Sequence, residues 1–261
     1  MSRLRSCVCL ASLLVVTALT ATAAAQGEVE DGFTPLFNGT DLSGWTIPEG
    51  DNGHWKVVDG VIDYDAASEA KGDRNLWTEN EYGDFILKLD WRIKETSGFY
   101  DTPIVLSDGT YLKDATGRTI TIKRPNADSG IYVRGTSRAQ LNIWCWPVGS
   151  GEVYGYRNNA KMPPEVRAGV TPRVNADNPV GEWNTFEVIM VGDRLTVLLN
   201  DQLIIENALL PDVPERGRIA LQHHGGLNED GTYKPASSLV QFRNVWIKEL
   251  PPATGDQAAA R

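Results

Sequence analysis

A two-residue alternation of apolar and other side chains constrains this chain more than any other feature of its sequence. It is clearest over residues 85–94, where four of the five positions between the apolar ones are charged; the apolar residues are Phe85, Leu87, Leu89, Trp91 and Ile93. Successive side chains of a β-strand point to opposite faces of its sheet. The pattern therefore predicts a long strand with one buried face.

The alternation recurs along most of the chain. Residues 54–58 and 61–64 flank Asp59-Gly60, a dipeptide typical of tight hairpin turns. Further strands are predicted over 186–190, 195–199, 203–205, 218–224 and 239–250. Because few stretches are convincingly helical, we predict an all-β fold, a two-sheet antiparallel β-sandwich with long loops.

Two segments do not fit this series of strands. Residues 95–127 are punctuated by Gly and Asp around a β-prone stretch at 119–122, which predicts an extra hairpin. Residues 147–180 contain five prolines and several glycines. An irregular segment of this length is usually functional, so we interpret it as a rim over a binding face.

The N-terminal residues have the layout of a secretory signal. Arg3 and Arg5 precede a mostly apolar run over 7–19, and three alanines follow at 23–25. We therefore predict a signal peptide over 1–25, a short linker over 26–31, one domain over 32–250 and a disordered tail over 251–261. The protein is expected to be exported, periplasmic or extracellular, with no membrane span after cleavage.

Charge and cysteine content narrow the possible partners and chemistry. The formal net charge of −9 argues against nucleic acid as a partner. Cys145 is the cysteine that remains once the predicted signal is removed, so the mature domain cannot form an internal disulfide. Its place in an apolar alternation predicts a buried thiol rather than a nucleophile.

Residues 139–146 predict a strand whose two faces differ in chemistry. Leu141, Ile143 and Cys145 share one face, and the opposite face carries Gln140, Asn142, Trp144 and Trp146. Sugars present hydroxyls that need hydrogen-bonding partners and C–H faces that pack on aromatic rings. The second face is therefore interpreted as a carbohydrate-binding face.

Five ordered blocks of sequence carry a resemblance to a known family. The blocks read GFTPLFNGTDLSGW at 32–45, SGIYVRG at 129–135, GEWNTF at 181–186, LQHHG at 221–225 and FRNVWI at 242–247. In this order they resemble the 3-keto-disaccharide hydrolase family, over about residues 32–250. The resemblance implies a concanavalin A-like jelly roll exported by glycan-degrading bacteria.

The resemblance also implies a chemistry. Members of the family with an assigned activity act on glycosides whose third hydroxyl a partner dehydrogenating oxidoreductase has first oxidised to a ketone. The ketone acidifies the neighbouring C–H, so that a base can remove the proton and expel the anomeric substituent, with water added afterwards. Such a site needs a base, a group that stabilises the enediolate, and side chains that hold the ring. A divalent metal is a candidate for the second role.

Three residues are candidates for the reacting centre. His224 matches the His of the family's Gln-Asp-His-Gly block and is the candidate base or metal ligand, whereas His223 replaces the family's acid. Strand parity predicts that Arg134 shares a face with Tyr132, where a fixed cation would polarise a keto oxygen or hold an enolate. Asp128 stands where family members carry Asn or Asp. The alternatives are a structural histidine, a structural salt bridge and a turn-capping aspartate.

The remaining candidates hold substrate. They are Tyr132, Gln140, Asn142, Trp144, Trp146 and Gln222. Gln140 is also a possible metal ligand through its amide oxygen, together with His224, although an amide cannot act as a general acid. Trp144 and Trp146 have the alternative of packing beneath the 147–180 segment.

Three functions remain open at this point. The first is an enzyme that cleaves 3-keto-glycosides or oligosaccharides by base-promoted elimination and hydration. The second is a non-catalytic carbohydrate-binding β-sandwich, and the third is a structural or adhesive exported domain. A fold alone does not separate them, but the enzyme predicts that His224, Arg134 and Gln140 converge in one pocket, and scattering of the three would remove that hypothesis.

Overall fold

The computed structural model of the protein describes residues 32–228, 230 and 233–251. The predicted signal, the linker and all but the first residue of the predicted tail lie outside them. In chain order the elements are β1 (Thr34–Pro35), β2 (Trp45–Thr46), β3 (Trp55–Val58), β4 (Val61–Tyr64), β5 (Leu76–Thr78), β6 (Phe85–Thr96), β7 (Phe99–Pro103), β8 (Thr121–Pro125), β9 (Asp128–Val133), β10 (Thr136–Trp144), α1 (Tyr154–Arg157), α2 (Pro164–Gly169), β11 (Asn184–Val191), β12 (Arg194–Leu199), β13 (Gln202–Leu209), β14 (Ala220–Leu221), β15 (Gly226–Leu227), β16 (Tyr233–Lys234) and β17 (Ser238–Glu249).

The larger sheet has eight strands in the order β13-β12-β11-β6-β17-β4-β3, with β1 added beside β17. Its centre is the predicted long strand, now β6, in which every second residue from Phe85 to Ile93 is buried. β6 pairs antiparallel with β11 on one side and with β17 on the other. The period-two alternation predicted this strand correctly. Pairing with β11 and β17 holds the strand in one register, so the same face of it stays against the core.

The smaller sheet has five strands in the order β10-β9-β14-β5-β2. Its inward residues, among them Ile131, Leu141 and Leu221, pack in one core with Leu87 and Phe186 of the larger sheet. Two sheets face to face over a shared apolar layer form a β-sandwich, as predicted. Burial of the Cys145 thiol within this core raises its pKa to about 11, which fits the prediction of an unreactive thiol.

The two irregular segments have defined structures. Residues 99–125 contain the hairpin β7–β8, which forms a two-stranded sheet of its own. Residues 147–180 contain α1 and α2 and bond to the free edge of β10, because the amide of Asn142 donates to Glu152 and the amide of Gly151 donates to Asn142. The interpretation of the whole segment as a rim over the binding face is therefore corrected. Part of the segment covers the edge of β10 instead.

Among the residues that the structure describes, no helix has the length and apolar character that crossing a bilayer requires.

Candidate functional site

The outer face of the five-stranded sheet gathers most of the polar and aromatic residues predicted for the site. The core takes Ile131, Leu141, Ile143 and Cys145, so the residues between them point away from the core. The outward residues are Asp128, Gly130 and Tyr132 on β9, Gln140, Asn142 and Trp144 on β10, Trp77 on β5 and Gln222 just after β14. We refer to this surface as the polar face.

A histidine and a carboxylate meet at one end of the polar face. The Nε2 atom of His224 lies 3.3 Å from Oδ2 of Asp128, and the two side chains are 42% and 33% exposed. Burial raises the pKa of Asp128, and the nearby imidazole partly offsets that effect. The backbone of Asp128 is held by the Ser238 hydroxyl, which accepts from its N–H at 3.2 Å. The pair is thus fixed on the β17 side and open to solvent on the other.

Amide side chains continue the polar face from this pair. Gln140 Nε2 donates to Gln222 Oε1 at 2.8 Å, and Gln222 Nε2 donates to the Tyr132 hydroxyl at 2.8 Å. The Gln140 side chain crosses above Gly130, where a Cβ atom would stand 2.5 Å from Gln140 Nε2. Glycine is therefore required beneath this bond for steric reasons.

The two tryptophans predicted to bind substrate form a stacked pair beside Asp128. The ring centroids of Trp144 and Trp146 lie 4.0 Å apart with parallel planes, and Tyr154 of α1 meets both edge-on. Trp144 is buried and donates to Gly149 at 2.7 Å, so it packs under the start of the 147–180 segment. Trp146 is half-buried and donates through Nε1 to the hydroxyl of Tyr100.

Tyr100 is a site residue that sequence reasoning missed. It comes from β7, in the segment that interrupts the strand series, and no residue pattern links that segment to the polar face. Burial raises its pKa to about 12, and the negative charge of Asp128 adds to the shift. The Tyr100 hydroxyl therefore stays protonated at neutral pH near the His224–Asp128 pair.

Arg134 does not join this site. β9 ends at Val133, and Arg134 and Gly135 form the turn to β10 with φ of +56° and +70°. Strand parity therefore does not extend to Arg134, and its guanidinium is buried, bonding Asp84 Oδ1 at 3.0 Å and the carbonyl of Pro214 at 2.9 Å. Six residues of strand, about 20 Å, separate it from Asp128. His224, Arg134 and Gln140 are therefore scattered, which removes the enzyme hypothesis in the form that relies on Arg134, and the salt-bridge alternative describes that residue. Any reaction at this face falls to the groups around the His224–Asp128 pair.

Asn142 and His223, two further residues considered in the sequence analysis, are both held by local packing. Asn142 is buried, and its Nδ2 donates to the Glu152 carbonyl at 3.2 Å, so its amide serves the sheet edge. His223 is buried against the Tyr64 ring, with centroids 4.8 Å apart, and burial lowers its pKa. The 3-keto-disaccharide hydrolase family, which the sequence resembles, has an acidic residue at the position of His223. In this protein the position faces the interior.

The proposed metal ligands are not brought together. The Gln140 amide is engaged with Gln222 and with the Ser129 carbonyl, whereas His224 contacts Asp128. Over the described residues, no three His, Cys, Asp or Glu side chains cluster as metal ligands. A divalent ion at this end would have His224 and Asp128 as ligands and would need waters or substrate oxygens for the rest.

Comparison with known families assigns the domain. The model of the 3-keto-alpha-glucoside-1,2-lyase-like domain matches residues 32–248. The chain belongs to this family. Membership confirms the resemblance seen in the five sequence blocks and makes the protein a carbohydrate-active one.

Solved structures agree on the fold of this 3-keto-alpha-glucoside-1,2-lyase-like protein. Two proteins of Parabacteroides distasonis, provisionally named glycosyl hydrolases, are 22% and 20% identical, with TM-scores of 0.50 and 0.51. Each alignment covers 84% of this chain, and 84% and 95% of the respective neighbour. The search of curated proteins finds no match.

Proposed function

We propose that this protein cleaves glycosides already oxidised to 3-ketones, by base-promoted elimination followed by hydration. The observation that carries the proposal is the His224–Asp128 pair, open to solvent at the edge of a face of amides and aromatic rings. Family membership supports the same chemistry, since a 1,2-lyase removes a proton from C2 and the substituent from C1.

His224 is the proposed base. A carboxylate beside Nε2 favours the tautomer with its proton on Nε2, which leaves Nδ1 to accept the C2 proton. The carboxylate also stabilises the imidazolium that then forms. The electrons of the C2–H bond form the enediolate, and their return expels the C1 oxygen, which must take up a proton. Addition of water across the resulting C1=C2 bond releases the 3-keto sugar.

Tyr100 is the proposed partner for the developing negative charge. A tyrosine hydroxyl is protonated at neutral pH, and burial raises the pKa of Tyr100 further, to about 12, so its O–H can donate a hydrogen bond to a keto oxygen or a leaving group. A divalent ion held by His224 and Asp128 would supply positive charge at an enediolate, but it would occupy the free imidazole nitrogen and leave His224 unable to act as the base. No step of this scheme requires it.

Substrate binding falls to the residues around this pair. Trp146 is half-buried on a rigid stacked pair and would pack against the C–H face of the reacting ring. Gln222, two residues before His224, would exchange hydrogen bonds with its hydroxyls, and Gln140 fixes the Gln222 amide by donating to it. The buried Trp144 supports Trp146 from below.

The biological setting follows from the same chemistry. A ketone at C3 is not present in ordinary glycosides, so an upstream oxidoreductase must supply the substrate. The predicted secretory signal places both proteins, in this proposal, in the periplasm or outside the cell.

The proposal is tested with matched disaccharides, oxidised and unoxidised at C3. We expect release of free sugar from the oxidised form alone, and His224→Ala should reduce kcat by about 10²- to 10⁴-fold. Because His224 is open to solvent, added imidazole should restore part of that rate. Parallel assays with a chelator, and with added divalent ions, show whether a metal takes part.

A non-catalytic carbohydrate-binding protein is the alternative, and the Gln140–Gln222–Tyr132 chain suits it equally well. Calorimetric binding of sugars without turnover of any 3-keto-glycoside would favour it. A structural or adhesive role would instead require that neither binding nor turnover is found.

A further inference from the structure

A second set of side chains on the polar face lies in register but far from the His224–Asp128 pair. Gln140 pairs with Tyr132, Tyr132 with Ala220, Ala220 with Trp77, and Trp77 with Thr46, which makes one row across all five strands. Trp144 and Asp128 are paired in another row. The rows are four strand residues apart, on the order of 13 Å.

Trp77 anchors the distant row. Its indole is half-buried, outside the core, and its Nε1 donates to Asp73 Oδ2 at 2.5 Å. The Trp77 and Tyr132 ring centroids are 5.7 Å apart, and the small Ala220 between them in the row leaves space for both rings. Arg218 also extends over the Trp77 ring, with its guanidinium carbon 5.9 Å from the ring centroid. The indole is thus fixed in orientation by these neighbours and remains half-buried.

A cleft of about 710 Å³ opens beside Trp77. It is lined by side chains of both charges and by neutral polar groups, including Lys71, Asp73, Asn75, Trp77, Arg216 and Arg218. A strongly charged ligand would meet repulsion from one set of these groups. A neutral molecule with many hydroxyls can use donors and acceptors of both kinds.

We propose that this cleft is a distant sugar subsite, which holds a non-reacting unit of an oligosaccharide substrate on Trp77. The inference rests on the proposed function, which places the reacting ring at His224. The separation of about 13 Å exceeds the spacing of the two linked rings in a disaccharide, so the two positions are bridged by a substrate of three or more units. The C–H face of that distant sugar packs on the indole, and its hydroxyls bond Asp73 and Asn75.

The test compares two substrates that differ beyond the reacting ring. One is a 3-keto-trisaccharide, and the other is the 3-keto-disaccharide that shares its reacting sugar and the neighbouring unit. Trp77→Leu keeps apolar volume but removes the flat ring, so the ratio of kcat/KM for trisaccharide over disaccharide should fall roughly tenfold. Calorimetry with the His224→Ala protein should show the same loss in trisaccharide affinity when Trp77→Leu is added.

Trp183→Leu is the control, because this indole stacks between Arg92 and Arg243, which extend from the larger sheet. Its substrate ratio should equal that of the wild type. An unchanged ratio and affinity in Trp77→Leu, with both substrates turned over, would overturn the subsite while leaving the proposed function intact. Loss of all turnover with 3-keto compounds in the wild type would instead overturn the proposed function. Equal affinity of the His224→Ala protein for the trisaccharide and the disaccharide would overturn the subsite as well.

Discussion

The pKa values of individual polar groups in this protein depend on how deeply each group is buried. Asp128 is partly open and contacts His224, whereas Asp177 has one carboxylate oxygen buried with no partner among the described residues. The Tyr100 hydroxyl accepts a hydrogen bond from Trp146, and the negative charge of Asp128 acts on it. Burial raises all three pKa values, because it disfavours the charged form of each group.

Tyr100→Phe tests the assigned donor role. The substitution keeps the ring and removes the hydroxyl, so kcat for 3-keto-glycosides should fall about a hundredfold to a thousandfold, the range seen when one donor to a developing oxyanion is lost. KM should change less than kcat, since the donor acts mainly on the transition state. Steady-state kinetics give both values, and an unchanged kcat would contradict the assignment.

Asp177 predicts a pH dependence of stability. Burial raises its pKa in the folded protein to about 6, whereas an unfolded aspartate titrates near its usual pKa of about 3.9. Between these values the folded state holds a proton that the unfolded state has released. Its contribution to stability is therefore greatest below about pH 4 and declines as pH rises to about 6.

Asp177→Asn removes this titration. The variant should gain about 1–2 kcal/mol over wild type in free energy of unfolding at pH 7.5, and little at pH 4. Urea unfolding at both values measures the difference. An equal effect at the two pH values would show that Asp177 is not the titrating group.

At the scale of elements, the β9–β10 hairpin decides which residues reach the site. Both turn residues have positive φ, as a two-residue type I′ turn requires, and Val133 pairs with Thr136 across it. The turn directs Arg134 to Asp84 and to the 214–215 backbone, away from the polar face. The other end of β9 presents Asp128 to His224.

Arg134→Ala should therefore affect stability more than chemistry. Removing one partner of a buried ion pair leaves Asp84 uncompensated, and we expect a loss of about 3–5 kcal/mol in free energy of unfolding. Arg173→Ala breaks an exposed pair with Glu206, 2.7 Å apart, and should cost at most about 1 kcal/mol. Chemical denaturation of the two variants checks the contrast, and equal losses would refute it.

At the scale of the whole molecule, the two sheets differ in the extent of their strand pairing. The eight-stranded sheet has the longer strands, and the polar face belongs to the smaller, five-stranded sheet. β6 and β17 are each 12 residues long, pair with each other and have further strands on both sides. The hairpin β7–β8, which carries Tyr100, pairs only within itself among the described strands. Side-chain bonds, such as those from Trp146 to Tyr100 and from Arg124 to the Cys145 carbonyl, join this hairpin to the rest of the domain in place of strand pairing.

Hydrogen exchange should reflect this division. Amides of β6, β11 and β17 should exchange slowest, near the rate set by global unfolding, because their bonds break only with the core. Amides of 99–125 should exchange by local opening at rates at least tenfold higher. Exchange followed by mass spectrometry resolves these segments, and equal protection of β7 and β6 would contradict the prediction.

Much of the fold could be predicted because it depends on local periodicity. The alternation over 85–94 gave β6, and Asp59-Gly60 gave the β3–β4 hairpin with its two positive φ values. The strand β5 was missed, and with it Trp77, because three residues are too short for a period to show. Tyr100 was missed because its strand lies outside the alternating series.

The sequence by itself determined that strands would form, which side of each is apolar, and that one side of 139–146 combines amides with indoles. Those properties follow from the direction of successive side chains along a strand. Only the tertiary structure decided that Asp128 meets His224 and that Arg134 meets Asp84. Such contacts join residues about 50 to 100 positions apart, so they depend on which strands become neighbours, and no local pattern encodes that choice.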